Sequence, residues 1–544
     1  MILTKELEAY KNMDRYLSKL LVSLVESSHA KLDAYLFTIA LWVLMVKSND
    51  YKYRKKLIKH FNNNTTVSSN ITATDSKLRD IPLPKLLKDV SIPEVYLHQI
   101  KNLSEVFESR NVENNTGSIG YNQIIEDDYV LHEIVRKKKS NKAIEAFIRA
   151  GPRKILHFDC SAQVINAAIC TCGGLCPGLN NVIRELVHGL TYLYPINKIY
   201  GIKGGYDGFQ ERYGYEPIEL DVNNTDTIHH QGGTILASSR GGFDLNAIIK
   251  FLVKYNVSQL YIIGGDGTHR GIHRISEEVL QHKLNCAVVG IPKTIDNDID
   301  IIDRSFGFNS SVEASQAAIN TAKVEAKCNV PNGIGIVKLM GRSAGFVAAH
   351  ATLGSGDVDL CLVPEIKIIL DGENGVLPFL YDRVKEKGHA VVVVAEGAGE
   401  HLFEMSHEKD ASGNKKLPEI GPYMKEQIIK YFKKRNAEAT VKYIEPSYMI
   451  RSVPANASDA LLCMLLAQNA VHGAMAGFTG FSVGLVNNRV VYIPIKRLTA
   501  TSPSNMHPNG RTWERVMALT LQPQAPPVID ITSNNVTLNA RVTI

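Results

Sequence analysis

Two aspartates and a lysine crowd into Pro292-Lys293-Thr294-Ile295-Asp296-Asn297-Asp298, directly after the apolar run Cys286–Ile291. Carboxylates this close repel one another unless a cation or an incoming hydroxyl uses them, so one of the pair is a candidate general base. A turn held by Asx caps is the plainer alternative. A second cluster, Gly264-Gly265-Asp266-Gly267-Thr268, sets one carboxylate among glycines after the run Leu260–Ile263. Mg²⁺ favours one or two carboxylates together with phosphate oxygens, which this loop can offer and admit; a tight turn with a capping Asp is the alternative. A third loop, Gly173-Gly174-Leu175-Cys176-Pro177-Gly178, runs into the helical pattern NNVIRELVHGL. Its glycines let backbone approach a ligand, and the free N–H groups of a helix start suit an anion. The Lys-Ser/Thr that ends a Walker A loop is missing, so this is no P-loop. Arg240 stands alone as a cation among the small residues of GGTILASSRGG, with room for its guanidinium to fork onto a phosphate. A base, a metal carboxylate and cations at glycine-lined loops are the parts of phosphoryl transfer.

The elements that must position these loops are short β-branched runs, each ending in glycines and followed by a helical pattern: VINAAIC, QLYIIGGDGT, CAVVGIPKT, GIGIVKLMGR and AVVVVAEGAGE. Continuous apolar runs bounded by turns predict buried parallel strands. Their alternation with helices predicts βαβ units, and such sheets bind ligands beyond the carboxyl ends of their strands. The expected fold class is therefore α/β, two Rossmann-like lobes with mostly parallel sheets around one cleft. Residues 1–150 read differently, as a largely helical extension with a polar linker near residues 62–74. The catalytic region is expected over 151–530, and 531–544 as a tail.

Composition excludes other classes. The 544 residues are 44% hydrophobic and 21% charged, near the globular average, which rules out a disordered, collagen-like or coiled-coil chain. A net charge of +6, from 61 basic and 55 acidic residues, is not gathered into a nucleic-acid-binding tail, and the Lys137–Lys139 run reads as a solvated helix face. Eight cysteines lie in apolar stretches with no CxxC pair, so reduced thiols in the cytoplasm are expected rather than a zinc site. The apolar run Ala34–Val46 would span only roughly 20 Å as a helix, against a hydrocarbon core of about 30 Å, so a buried helix is expected and a membrane partner is not.

Taken in register, TCGGLCPGLNNVIREL, GGTILASSRGG, YIIGGDGTHRG, GIPKTIDNDI, FGFNSSVEASQAAI, GIGIVKLMGRSAGF, VVVVAEGAGE and YMIRSVPANASDALLCMLLAQNAVHGAMAGFTG resemble the phosphofructokinase family, most of all its plant-type, ATP-dependent branch. The likeness spans residues 150 to 530. It implies that ATP phosphates meet Gly173, Gly174, Arg240, Gly241, Gly265, Asp266, Gly267 and Thr268, with Asp266 on Mg²⁺. Asp296 would take the proton of the 1-hydroxyl of fructose 6-phosphate, with Thr294, Ile295 and Asp298 nearby and Lys293 or Arg240 stabilising the transferred phosphoryl. Met340, Gly341, Arg342 and Glu396 would line the sugar pocket, and Lys442, Tyr448, Met449, Ile450 and Arg451 would face the 6-phosphate. The resemblance also implies a glycolytic homotetramer.

Donor choice in that family turns on the residue after the metal aspartate, where pyrophosphate users carry a second aspartate that crowds the nucleotide. Here it is Gly267, which admits ATP. Lys293 points the other way, since it matches pyrophosphate users, yet plant-type ATP enzymes also combine this glycine with this lysine. The alternatives are a pyrophosphate-dependent phosphotransferase and a non-catalytic regulatory subunit. Gly333, Lys442 and Tyr448 depart from the bacterial pattern at positions that anchor the sugar phosphate.

Overall fold

The computed structural model describes residues 94–108, 112–114, 124–135, 140, 142–404, 408 and 416–528. The apolar run Ala34–Val46, the polar linker at 62–74 and the tail at 531–544 lie outside them.

The chemistry-bearing loops hang on a large sheet built from β1 (Val95–His98), β2 (Ile144–Arg149), β3 (Asn166–Thr171), β4 (Lys198–Ile202), β5 (Val257–Gly264) and β6 (Ala287–Pro292). A smaller sheet follows from β7 (Gly333–Leu339), β8 (Leu360–Leu362), β9 (His389–Ala395) and β10 (Thr440–Ile444). The chain then returns to the large sheet with β11 (Phe481–Val486) and β12 (Arg489–Pro494). The large sheet runs β1-β2-β12-β11-β6-β5-β3-β4, with Ile218–Glu219 at the far edge and Tyr129–Leu131 beside β2; the small one runs β8-β9-β7-β10 and is wholly parallel.

Every residue of β3, β6 and β7 is buried. That is why these segments read as unbroken apolar runs: a parallel strand covered on both faces has no polar side to alternate. The covering helices include α1 (Leu179–His188), α2 (Leu245–Lys254), α3 (Asp266–Gln281), α4 (Phe308–Cys328), α5 (Phe346–Ser355), α6 (Ile420–Lys433), α7 (Ser447–Arg451) and α8 (Ala457–Met475). Separate cores lie on the two faces of the large sheet, around Tyr261 and around Ile262, and a third fills the small-sheet lobe around Val392. Met340 packs against both the third core and the one around Tyr261, so the lobes meet at the end of β7.

The described residues between 94 and 149 differ from the expected helical extension. β1 pairs in parallel with β2, and β2 lies antiparallel to β12, so this segment is part of the catalytic sheet. Lys101–Asn102 adds a second tie by pairing with Phe478–Thr479. In β2, Ile-Glu-Ala-Phe-Ile-Arg, the consecutive Ala146 and Phe147 are both fully buried, so the strand is covered on both faces at its centre while Glu145 is partly exposed. Its Glu145 accepts hydrogen bonds from Arg497 Nε at 2.8 Å and Nη2 at 2.7 Å. Burial would raise that carboxyl, but hydrogen bonds to His98 and Arg497 hold it well below the usual range.

Candidate active site

Register brings three of the loops level. Ile263 of β5 stands opposite Thr171 of β3, and Gly264 opposite Pro292 of β6, so the segments following these three strands open side by side. The backbone then crosses between them: Cys172 N donates to Ile263 O at 2.8 Å, Lys293 N to Gly264 O at 3.0 Å and Gly173 N to Ser239 O at 2.9 Å. Gly173 sits at φ +86°, a left-handed conformation that a glycine reaches without strain.

Cations converge on this loop. Lys293 Nζ donates to Gly174 O at 2.7 Å. A Cβ on Gly174 would lie 3.4 Å from Arg240 Nη2 and 3.9 Å from Arg451 Nη1, so both guanidiniums reach the same backbone. Lys293 is buried, which lowers its pKa, and the Arg240 charge lowers it further against the pull of neighbouring thiols and Asp296. Arg451, expected at the sugar phosphate, arrives from the short α7 and stacks over Tyr448 at 4.8 Å. Its Nε is buried without a partner, as is Asp266 Oδ1.

Asp266 opens α3, where a carboxylate is favoured by the helix dipole, and its Oδ2 pairs with Arg270 at 2.8 Å one turn on. Burial raises its pKa, Arg270 counteracts and Asp298 adds to the rise. The orphaned Oδ1 and the hard oxygen donor suit Mg²⁺. Among the described residues no group of three or more His, Cys, Asp or Glu could cage a metal, so most ligands of such an ion must come from phosphate and water. Gly267 is exposed, and a Cβ there would meet nothing within 4 Å.

Asp296 stands half-buried beside these groups. Burial raises its pKa well above the usual carboxylate range, and Asp298 and Glu396 push the same way against Lys293 and Arg342. Thr294 Oγ1 accepts from Asp296 N at 3.1 Å and donates to Asp298 Oδ1 at 3.0 Å, which holds one carboxylate while Asp296 Oδ1 keeps no partner. Asn297 reaches φ +54°, stabilised where its Oδ1 accepts from Ser305 N at 2.9 Å, so the loop doubles back and presents both acids.

The small-sheet lobe supplies the facing wall. Glu396 N donates to Leu339 O at 2.9 Å and Gly397 N to Gly341 O at 3.2 Å, which locks the ends of β7 and β9 together. Gly341 permits this at φ +135°. Burial raises the Glu396 carboxyl, countered by Arg342 and Lys338.

Other sequence-expected residues are placed differently. Ile295 and Ile450, 6% and 1% exposed, belong to the cores, so only their backbone is free to meet a ligand. Lys442 pairs with Gly335, four residues before the end of β7, and lies 3.8 Å from Glu325. Tyr448 and Met449 are each 73% exposed.

Sequence reasoning passed over Arg270, although its place four residues after Asp266 on a helix is readable. It also passed over Phe243. This ring sits beside Gly242 at a cavity of about 390 Å³ with Arg212 and Arg274, with the Arg274 guanidinium 5.2 Å above it.

The phosphofructokinase family model matches residues 166–474. The chain is 50% identical over 400 residues to ATP-dependent 6-phosphofructokinase 7 of Arabidopsis thaliana, covering 73% of this chain and 81% of that protein. It is 51% identical over 403 residues to ATP-dependent 6-phosphofructokinase 1 of the same plant, covering 73% and 83%. A pyrophosphate-dependent phosphofructokinase from Marinobacter aquaeolei has a similar fold, with a TM-score of 0.54 at 18% identity over 68% of this chain and 94% of that one.

Proposed function

This chain belongs to the phosphofructokinase family, and from that premise we propose that it transfers the γ-phosphoryl of ATP to the 1-hydroxyl of fructose 6-phosphate. The products are fructose 1,6-bisphosphate and ADP, in glycolysis. The observation that carries ATP over pyrophosphate is Gly267: it leaves open space beside the phosphate loop where a second aspartate would stand, and the relatives of about 50% identity are named as ATP-dependent.

Asp296 is the base. Its raised pKa makes it a better proton acceptor than an ordinary aspartate, and a hydroxyl brought to its unpartnered Oδ1 hands over its proton there. Lys293 and Arg240 hold the transferring phosphoryl, and Gly173, Gly174, Gly241, Gly265 and Thr268 give it room and backbone. Asp266 would hold Mg²⁺, which when bound offsets phosphate charge. The cavity beside Phe243, next to Gly241 and Gly242, is of a size for the nucleoside. Arg342 and Glu396 orient the sugar, and Arg451 meets phosphate oxygens where its guanidinium crosses to Gly174.

A homotetramer in the cytoplasm belongs to the same reading. Exposed Tyr448 and Met449 beside the cleft support a neighbouring subunit there, and eight free cysteines suit a reducing compartment. Among the described residues no helix is long and apolar enough to cross a membrane.

The test is fructose 1,6-bisphosphate formation from fructose 6-phosphate and Mg²⁺, with ATP in one reaction and pyrophosphate in the other. Product with ATP alone supports the reading. Product with pyrophosphate alone makes Lys293 outweigh Gly267, and silence in both favours a regulatory subunit.

A further inference from the structure

A second cavity, of about 400 Å³, opens where the end of β2, the start of β12 and the outer face of α8 meet. Its rim carries Arg149, Arg304 and Arg489, and Leu462 and Leu485 form part of an apolar floor. The fold forces this gathering. Ala150 N donates to Val490 O at 2.9 Å, so Arg149 and Arg489 lie on adjoining strands, and Asp303 N donates to Leu485 O at 2.7 Å, which draws Arg304 in beside them.

The acids near the three are bound into the fold and offset their charge only in part. The Asp303 carboxylate accepts from Asn487 N at 3.1 Å and Asn488 N at 2.7 Å, closing the β11–β12 turn, where both asparagines have positive φ. Buried Asp459 accepts from Ser310 N at 2.7 Å and Oγ at 2.6 Å through Oδ2, and it meets the Arg304 charge without a hydrogen bond between them. Asp128 takes a single N–H of Arg149 at 2.7 Å, and Arg489 donates only to the Asn488 carbonyl at 3.0 Å. Arg304 makes no hydrogen bond or ion pair to any described residue, and no carboxylate among them lines the cavity. With only Arg149 ion-paired, the three guanidiniums around one depression still repel, an incoming anion relieves that repulsion, and their planar forks match carboxylate and phosphate oxygens. The volume is that of a small-molecule site, and the leucines beneath favour a ligand with carbon between its charges.

We propose that this cavity binds a small organic polyanion, carboxylate or phosphate ester, with its charged groups on Arg149, Arg304 and Arg489 and its skeleton on the Leu462 and Leu485 floor. The catalytic cleft differs in kind, since its cations are interleaved with Asp266, Asp296 and Glu396.

Calorimetric titration of the full-length chain with tricarballylate, phenyl phosphate and inorganic phosphate, in separate arms, tests this. Saturable binding of one or both organic probes is expected, weakened about tenfold or more in Arg304→Gln/Arg489→Gln, with turnover of ATP and fructose 6-phosphate unchanged. Tricarballylate alone would identify a carboxylate site and phenyl phosphate alone a phosphate-ester site, and either supports the proposal. If the double variant fails to fold, Ser458→Glu sets a carboxylate at the rim and should weaken the probes likewise. Absence of saturable binding, equal affinity in wild type and variant, or inorganic phosphate binding as tightly as both organic probes would overturn it.

Discussion

The two walls of the cleft are built by different means. The large-sheet wall is mostly backbone: level strand ends, crossing main-chain hydrogen bonds, and Lys293 fixed on Gly174 O at 2.7 Å. The small-sheet wall is mostly side chain, with Arg342 and Glu396 reaching from loops that Gly341 and Gly397 hold together and Arg451 from α7. Phosphate chains are alike in every nucleotide and can be held by a rigid frame of N–H groups and fixed charge. A sugar must be discriminated by its hydroxyls, which calls for side chains that present distinct donors and acceptors.

The comparison can be broken most directly at the acid that both walls share. Asp296→Asn is expected to lower kcat by about 10²-fold or more while KM for ATP holds, measured by steady-state kinetics. Near-normal turnover would remove Asp296 from the base role and leave the two walls without a common centre. The wild-type pH profile follows from the same group. A base must be ionised to act, and this carboxyl is raised by burial and by Asp298 and Glu396. Activity should therefore fall with decreasing pH at a midpoint above that of an ordinary aspartate, and the Asn variant should lose that limb.

A smaller effect tests the backbone wall alone. Gly267→Asp has open space around it, and an acid in the first turn of α3 suits the helix dipole, so the melting temperature should hold. Repulsion of the nucleotide should raise KM for ATP about tenfold or more. Unchanged ATP kinetics would undo the donor argument.

The smallest effect concerns the other lobe's stability. Glu365 accepts from Gly345 N at 2.9 Å and Met506 N at 2.8 Å, and burial raises its pKa from 4.5 to about 7 against those two bonds. The folded state thus holds the proton more tightly than the unfolded one. This group's contribution is most favourable below pH 4.5 and is lost as pH rises through about 7. Thermal melts should drop by a few degrees across that window, and Glu365→Gln should flatten the slope.

Legibility in the sequence followed the same division. The backbone wall could be read because each loop is a contiguous motif after an apolar strand, and a strand buried on both faces announces itself by composition. The side-chain wall was harder. Ile295 and Ile450 lie inside motifs that face the cleft, yet alternate side chains of such a loop turn into the core, and both are buried. Lys442 sits mid-strand against Glu325, a placement set by pairing register that no local pattern reveals. β1 and β2 were missed because β1 is only four residues long and pairs with β2, while the partner of β2 across the sheet, β12, lies more than three hundred residues away in sequence.

That distant pairing bears on how the protein can be cut. A fragment begun at residue 151, just ahead of the catalytic motifs, would strip β12 of its neighbour β2 and remove Glu145 from Arg497. The bared strand, Val490-Val491-Tyr492-Ile493, would present unpaired N–H and C=O groups on a hydrophobic edge, a template for stacking one molecule on the next. Expression trials should show such a fragment in the pellet, whereas one begun at Pro93 retains the strands that cap the sheet.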